Sequence, residues 1–107
     1  MGCTVAVRVD SSELIGSGHL MRCLTLAERM CFDGADVHFI CRDLAGNLNY
    51  LVEERGFALH ILPHHTPERS LMGYEAWLTV VPELDAEETA EVLRAIRPVS
   101  RLVVDSY

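Results

Sequence analysis

Residues 4–27 read TVAVRVDSSELIGSGHLMRCLTLA, and this stretch decides the fold. Thr4 to Asp10 is short and rich in valine, the composition of a strand. Ser11 to Gly18 follows as a loop whose Gly16-Ser17-Gly18 end lets the backbone turn tightly. From His19 to Phe32, Leu20, Leu24, Ala27 and Cys31 recur at helical spacing, while Arg22, Thr25 and Arg29 fall on another face. Asp33-Gly34 stops the helix. Strand, glycine loop and helix in that order open a parallel α/β sheet.

The rest of the chain repeats the alternation. Val37 to Cys41 predicts a second strand, Leu44 to Arg55 a second helix closed by Gly56, and Phe57 to Leu62 a third strand. Asp85-Ala86-Glu87-Glu88 reads as a capping box, with Asp85 accepting from the backbone near Glu88, and opens a helix running to about Arg97 before Pro98. Leu102 to Asp105 is the fourth strand. Short apolar strands alternating with helices predict an α/β, Rossmann-like parallel sheet, covered on both faces, with ligands at the carboxyl ends of its strands. Pro63 to Leu84 breaks the rhythm. It holds His64, His65, Tyr74 and Trp77 without a clear period, and a connection of that length is either functional or partly mobile. The chain stops at Tyr107, just past the fourth strand, where a doubly wound domain normally continues. Residues 1–107 are therefore expected to be one Rossmann-like domain of a larger protein.

Composition narrows the function. The 107 residues are half apolar, enough for one packed core, and carry a formal charge of −7, which disfavours a nucleic-acid partner. No stretch approaches the ~20 apolar residues of a membrane span, and the start lacks a signal-peptide pattern. The expected location is the cytoplasm, with no membrane partner. Met1-Gly2 does not open a myristoylation motif, because Ala6 stands where Ser or Thr is needed. Cys3, Cys23, Cys31 and Cys41 have neither CxxC nor zinc spacing and read as reduced, buried thiols.

The candidate chemistry gathers around the glycine loop. Gly16, Ser17 and Gly18 precede a helix whose unpaired N–H groups favour an anion such as a diphosphate, although a Gly-x-Gly turn also serves close strand-to-helix packing. It is neither a Walker A loop nor a full dinucleotide fingerprint, since it lacks Lys and Met21 stands at the third glycine position. His19 occupies the first helical turn at the ligand edge. There the helix dipole disfavours imidazolium, so the ring suits a general base; a capping or packing histidine is the bland alternative. Asp10 ends the first strand and is placed to bind a sugar hydroxyl, orient His19 or cap the loop. Arg22, one turn after His19, faces either a diphosphate or solvent. Asp105 and Tyr107 end the fourth strand on the same edge, or simply end a strand. His64 and His65 form no metal-ligand set and read as loop residues.

The run Asp10-Ser11-Ser12, Ile15-Gly16-Ser17-Gly18-His19, Met21-Arg22-Cys23-Leu24 and Leu26-Ala27, together with Asp85-Ala86-Glu87-Glu88-Thr89 and Val103-Val104-Asp105-Ser106-Tyr107, resembles the PseG family. These are the UDP-2,4-diacetamido-2,4,6-trideoxy-β-L-altropyranose hydrolases of bacterial pseudaminic acid biosynthesis. The resemblance spans essentially the whole chain. It implies the amino-terminal half of a glycosyltransferase-B-like pair of Rossmann-like domains, with the active site in the cleft between them. The absent carboxyl-terminal domain would hold most of the uridine nucleotide. The family releases UDP by hydrolysis at the anomeric carbon with inversion, which makes His19 the base that activates water and requires no metal or cofactor. Asp10, Gly16, Ser17, Gly18, Arg22, Asp105 and Tyr107 would then contact the UDP-sugar.

Two other readings remain open at this level. A glycosyltransferase of the same architecture would pass the sugar to an acceptor. A non-catalytic nucleotide-sugar-binding or assembly module would pair its unfinished sheet edge with another chain, and self-association of these residues is expected on that ground.

Overall fold

The computed structural model describes residues 3–65, 81–96 and 98–105. They form β1 (Thr4–Arg8), α1 (Gly18–Phe32), β2 (Asp36–Arg42), α2 (Tyr50–Glu54), β3 (Ala58–Leu62), α3 (Pro82–Ala95) and β4 (Arg101–Val104). The four strands make one all-parallel sheet in the order β3-β2-β1-β4. Val7 lies opposite Phe39 on one side and Val103 on the other, so β1 is central. The chain runs outward from β1 through β2 to β3, then returns to β1's other side. That reversal puts a topological switch point between the carboxyl ends of β1 and β4.

Side-chain alternation divides the core. Val5, Val7 and Val9 point to one face, where Leu20, Cys23, Leu24 and Ala27 of α1 and Val52 of α2 pack with Phe39 and Phe57. Each such fully buried aliphatic side chain contributes about 1.5–3 kcal/mol. On the other face Ala6, Ile40 and Leu62 meet Val92 and Leu93 of α3. The outer edge of β4 has no strand partner among the described residues, and Leu102 and Val104 are exposed there.

Several expectations need correction. The second helix is not Leu44–Arg55 but the five residues Tyr50–Glu54. Upstream, Gly46 adopts φ +74, Asn47 bonds through its side chain to Asp43 and the Leu44 carbonyl, and Asn49 Nδ2 reaches the Arg42 carbonyl. Such local side-chain bonds compete with a helical backbone. The capping box also fails. α3 begins at Pro82 with Val81 as N-cap and proline in its first turn, where a fixed φ and a missing N–H cost nothing. Asp85 sits inside that turn, and its carboxylate goes to two arginines instead of the backbone. The helix thus shortens the expected 63–84 loop from its far end. Positions 66–80, including Tyr74 and Trp77, lie outside the described residues, as do Arg97, Ser106 and Tyr107. Finally, Cys23 and Cys41 are buried, but Cys3, ahead of β1, and Cys31 are exposed; at the end of α1 it is Met30 that packs against the core. Among the described residues no helix is long and apolar enough to cross a membrane.

Candidate functional site

Ser11 and Ser12 give the glycine loop its shape. Ser12 Oγ accepts from the Leu14 and Ile15 N–H groups at 3.2 and 2.9 Å, and Gly16 N donates to the Ser12 carbonyl at 2.8 Å. Ser11 Oγ accepts from Leu48 N, and Glu13 N donates to Ala45 O, which fastens the loop to the segment after β2. A Cβ at Gly46 would collide with the Glu13 side chain, so that junction needs a glycine. The loop is therefore held by buried hydroxyls rather than flexible throughout.

Gly16 and Gly18 have different reasons to be glycine. Gly16 adopts φ +84, a conformation that side chains rarely enter. Gly18 has no positive φ, and a Cβ there would meet no described atom within 4 Å. Close packing of strand on helix therefore does not explain Gly18. Ser17 is the N-cap of α1 but makes no side-chain cap bond, and no acidic residue follows in the first turn. The positive end of α1 is left without a counter-charge from its own sequence.

His19 lies at that end, half-buried, and its Nδ1 is 2.8 Å from Asp105 Oδ1. Arg22 Nη2 bridges both Asp105 oxygens at 2.9 Å and comes within 3.1 Å of His19 Nδ1. The last two neighbours demand opposite roles of Nδ1. An ionised carboxylate can only accept, and Arg22 has both carboxylate oxygens for its protons, so Nδ1 carries the hydrogen and donates it to Asp105. The ring's lone pair then falls on Nε2. Cys23 Sγ donates to Asp105 Oδ2 at 3.4 Å. Burial pushes the Asp105 carboxyl up, but hydrogen bonds from His19, Arg22 and Cys23 outweigh it and hold the group below 3.8. Burial, then the bond to Asp105, pushes the Cys23 thiol up to about 12, so it remains a protonated donor and not a nucleophile.

Asp10 belongs to a different cluster. It is buried, accepting Arg8 Nη1 at 2.7 Å through Oδ1 and the Arg42 backbone N–H at 2.7 Å through the same oxygen. Arg8 Nη2 and Arg42 Nη2 both reach Asp85 Oδ1 at 2.7 Å. Arg42 Nη1 donates to the Pro63 carbonyl at 2.7 Å and lies 2.8 Å from Glu88 Oε1, an ion pair off the hydrogen-bond angle. His65 Nε2 sits 3.0 Å from Glu88 Oε2, and His64 Nδ1 3.0 Å from the Asp43 carbonyl. His65, a loop residue as expected, is thus tied into the cluster. Burial acts to lower the Arg8 pKa, and Asp10 and Asp85 together raise it above its ordinary value. Burial raises the Asp85 and Glu88 carboxyls, and their basic partners bring both below their ordinary values.

Of the residues singled out from sequence, Gly16, Ser17, Gly18, His19, Arg22 and Asp105 meet at the switch point; Asp10 orients Arg8 and the start of the next loop, and Tyr107 lies outside the described residues. Sequence reasoning missed Cys23 as a partner of Asp105. It also missed Arg8 and Arg42, whose signal was a charge on the inward side of two adjacent apolar strands. Among the described residues no group of His, Cys, Asp and Glu could hold a metal ion. Compared with known proteins, the chain matches no family model and no curated protein.

Proposed function

We propose that this chain is the amino-terminal, base-bearing domain of a nucleotide-sugar hydrolase of the PseG type, acting on a UDP-linked 2,4-diacetamido-2,4,6-trideoxy sugar. The observation that carries the reading is His19, held through Nδ1 by Asp105 at the switch point beside the amino-terminal end of α1. A carboxylate fixing one ring nitrogen leaves the other as acceptor, the arrangement a water-activating histidine needs. In this scheme Nε2 takes a proton from water, and the water oxygen bonds to the anomeric carbon. The bond from that carbon to the diphosphate oxygen breaks, and its electron pair leaves with UDP. Attack opposite the leaving group inverts the centre. The α1 N–H groups and the exposed Arg22 guanidinium supply positive charge for the diphosphate. A second Rossmann-like domain closing over the carboxyl edge, as in the glycosyltransferase-B arrangement, would hold the uridine and make the cleft. The outer edge of β4, without a strand partner among the described residues, supports a further strand, domain or chain on that side.

The test uses the protein as its gene encodes it, with UDP release measured from the diacetamido sugar nucleotide. His19→Asn is expected to lower turnover about 10²–10⁴-fold without moving the melting temperature. A variant that melts unchanged and hydrolyses at the wild-type rate would remove His19 from the chemistry. Sugar transfer to an acceptor in preference to water would replace hydrolase with transferase.

A further inference from the structure

His19, Arg22 and Cys23 stand at i, i+3 and i+4 of α1, and all three point to one carboxylate at the end of β4. Their holds differ. The Arg22 side chain is 67% exposed, so its ion pair is screened by water and made by a long, mobile stem. Cys23 is 3% exposed and packs in the core beneath the site. Its thiol therefore marks the buried limit of the Asp105 carboxylate, while His19 takes the other oxygen. Arg22 Nη2 already spans both carboxylate oxygens from the wet side, so without the buried donor the carboxylate is free to turn about that one nitrogen and to release Nδ1.

We propose that Cys23 is a positioning residue of this site: its S–H donates to Asp105 Oδ2 and locks the carboxylate in the rotation that keeps hydrogen on His19 Nδ1. The proposal rests on the reading of His19 as the base, yet its primary readout does not need the reaction. Among the described residues, Asp105 from the end of β4 and Arg22 from α1 face the imidazole, with the Cys23 thiol behind Asp105. A thiol that never ionises near neutrality suits such a task better than it suits nucleophilic chemistry.

The experiment is ¹⁵N NMR of histidine-labelled protein at alkaline pH, where ring shifts separate a hydrogen-bearing nitrogen from a bare one. Wild type is expected to show hydrogen on His19 Nδ1. Cys23→Ala should mix the two tautomers, and Cys23→Ser, which restores a donor, should return the wild-type pattern. Cys41→Ala is the control for a loosened core, since it removes an equally buried thiol from the same apolar cluster. Where turnover is measurable, Cys23→Ala should lower kcat about 2- to 10-fold with KM unchanged, the worth of one hydrogen bond of ordinary net strength. An unchanged His19 spectrum in Cys23→Ala overturns the proposal even if hydrolysis is confirmed. So does a Cys41→Ala spectrum disturbed to the same degree. A tautomer that shifts in a protein without hydrolase activity upholds the positioning role and discards the hydrolase reading alone.

Discussion

Two charged clusters sit at the carboxyl edge of the same sheet, on opposite faces, and they deal with water in opposite ways. On the α3 face the Arg8, Asp10 and Arg42 side chains are closed in, Arg42 at 0% exposed, under part-buried Asp85 and Glu88, and the terminal guanidinium nitrogens are answered by carboxylates or a carbonyl. On the α1 face, His19 and Arg22 reach Asp105 from a partly open position. The first cluster joins β1, β2 and the first two turns of α3. Among the described residues, the second joins a helix start to a strand end. Charge buried from water is costly to leave unpaired, whereas charge at a wet edge is cheap to rearrange. The difference suits one cluster to fastening and the other to the chemistry proposed for His19.

The strongest way to break that assignment is Arg42→Met. It removes the fully buried guanidinium shared by Asp85, Glu88 and the Pro63 carbonyl, leaving Arg8 and His65 as the carboxylates' remaining partners, and is expected to cost about 3–5 kcal/mol in urea unfolding, enough to unfold a small domain at moderate temperature. A loss under about 1 kcal/mol would mean that the cluster fastens nothing.

Acid probes both faces with a smaller, graded effect. Asp85, Glu88 and Asp105 have folded pKa values below the ordinary 3.8, 4.5 and 3.8, so the unfolded chain binds protons more readily at low pH. Their stabilisation is full above about 4.5 and is lost as pH falls through the folded values. His60 acts earlier. Burial, then the charge of the stacked His38 ring whose Nδ1 is 3.0 Å away, lowers it from 6.5. Its share is full above 6.5 and declines as pH drops below. Urea midpoints should therefore fall in two stages on acidification, and His60→Gln should remove the upper one. A single stage below pH 4.5 in the wild type would show that His60 is not linked to folding.

The smallest expected change in stability is Asp105→Asn, under about 1 kcal/mol, because its two charged or titratable partners near neutrality, His19 and Arg22, reach water. Its effect on the chemistry should be far larger. Arg22 needs an acceptor, so the amide turns its oxygen to Arg22 and its NH₂ to His19 Nδ1, which forces the wrong tautomer. Loss of UDP release on the order of 10²-fold or more with an unchanged melt sharpens the contrast. A large fall in melting temperature would instead make Asp105 a fastening residue like Asp85.

The sequence by itself determined the layout. Period-two valines in β1, helical spacing in α1 and the glycine loop between them are local signals, and local signals survive into the fold because each element buries the face its pattern defines. The same reading placed His19 and Asp105 on one edge, since strand ends are set by the alternation. It failed over Leu44–Asn49 and at Asp85. Asparagine side chains outcompeted a helix at the first, and at the second two arginines far away in sequence took a carboxylate that looked like a cap. Only the tertiary structure decided that Asp10 serves Arg8 while Asp105 serves His19, and that Cys23 lies behind them. Those partnerships depend on which strand lies beside which, and a carboxylate answers to its nearest donor in space, not to its neighbours along the chain.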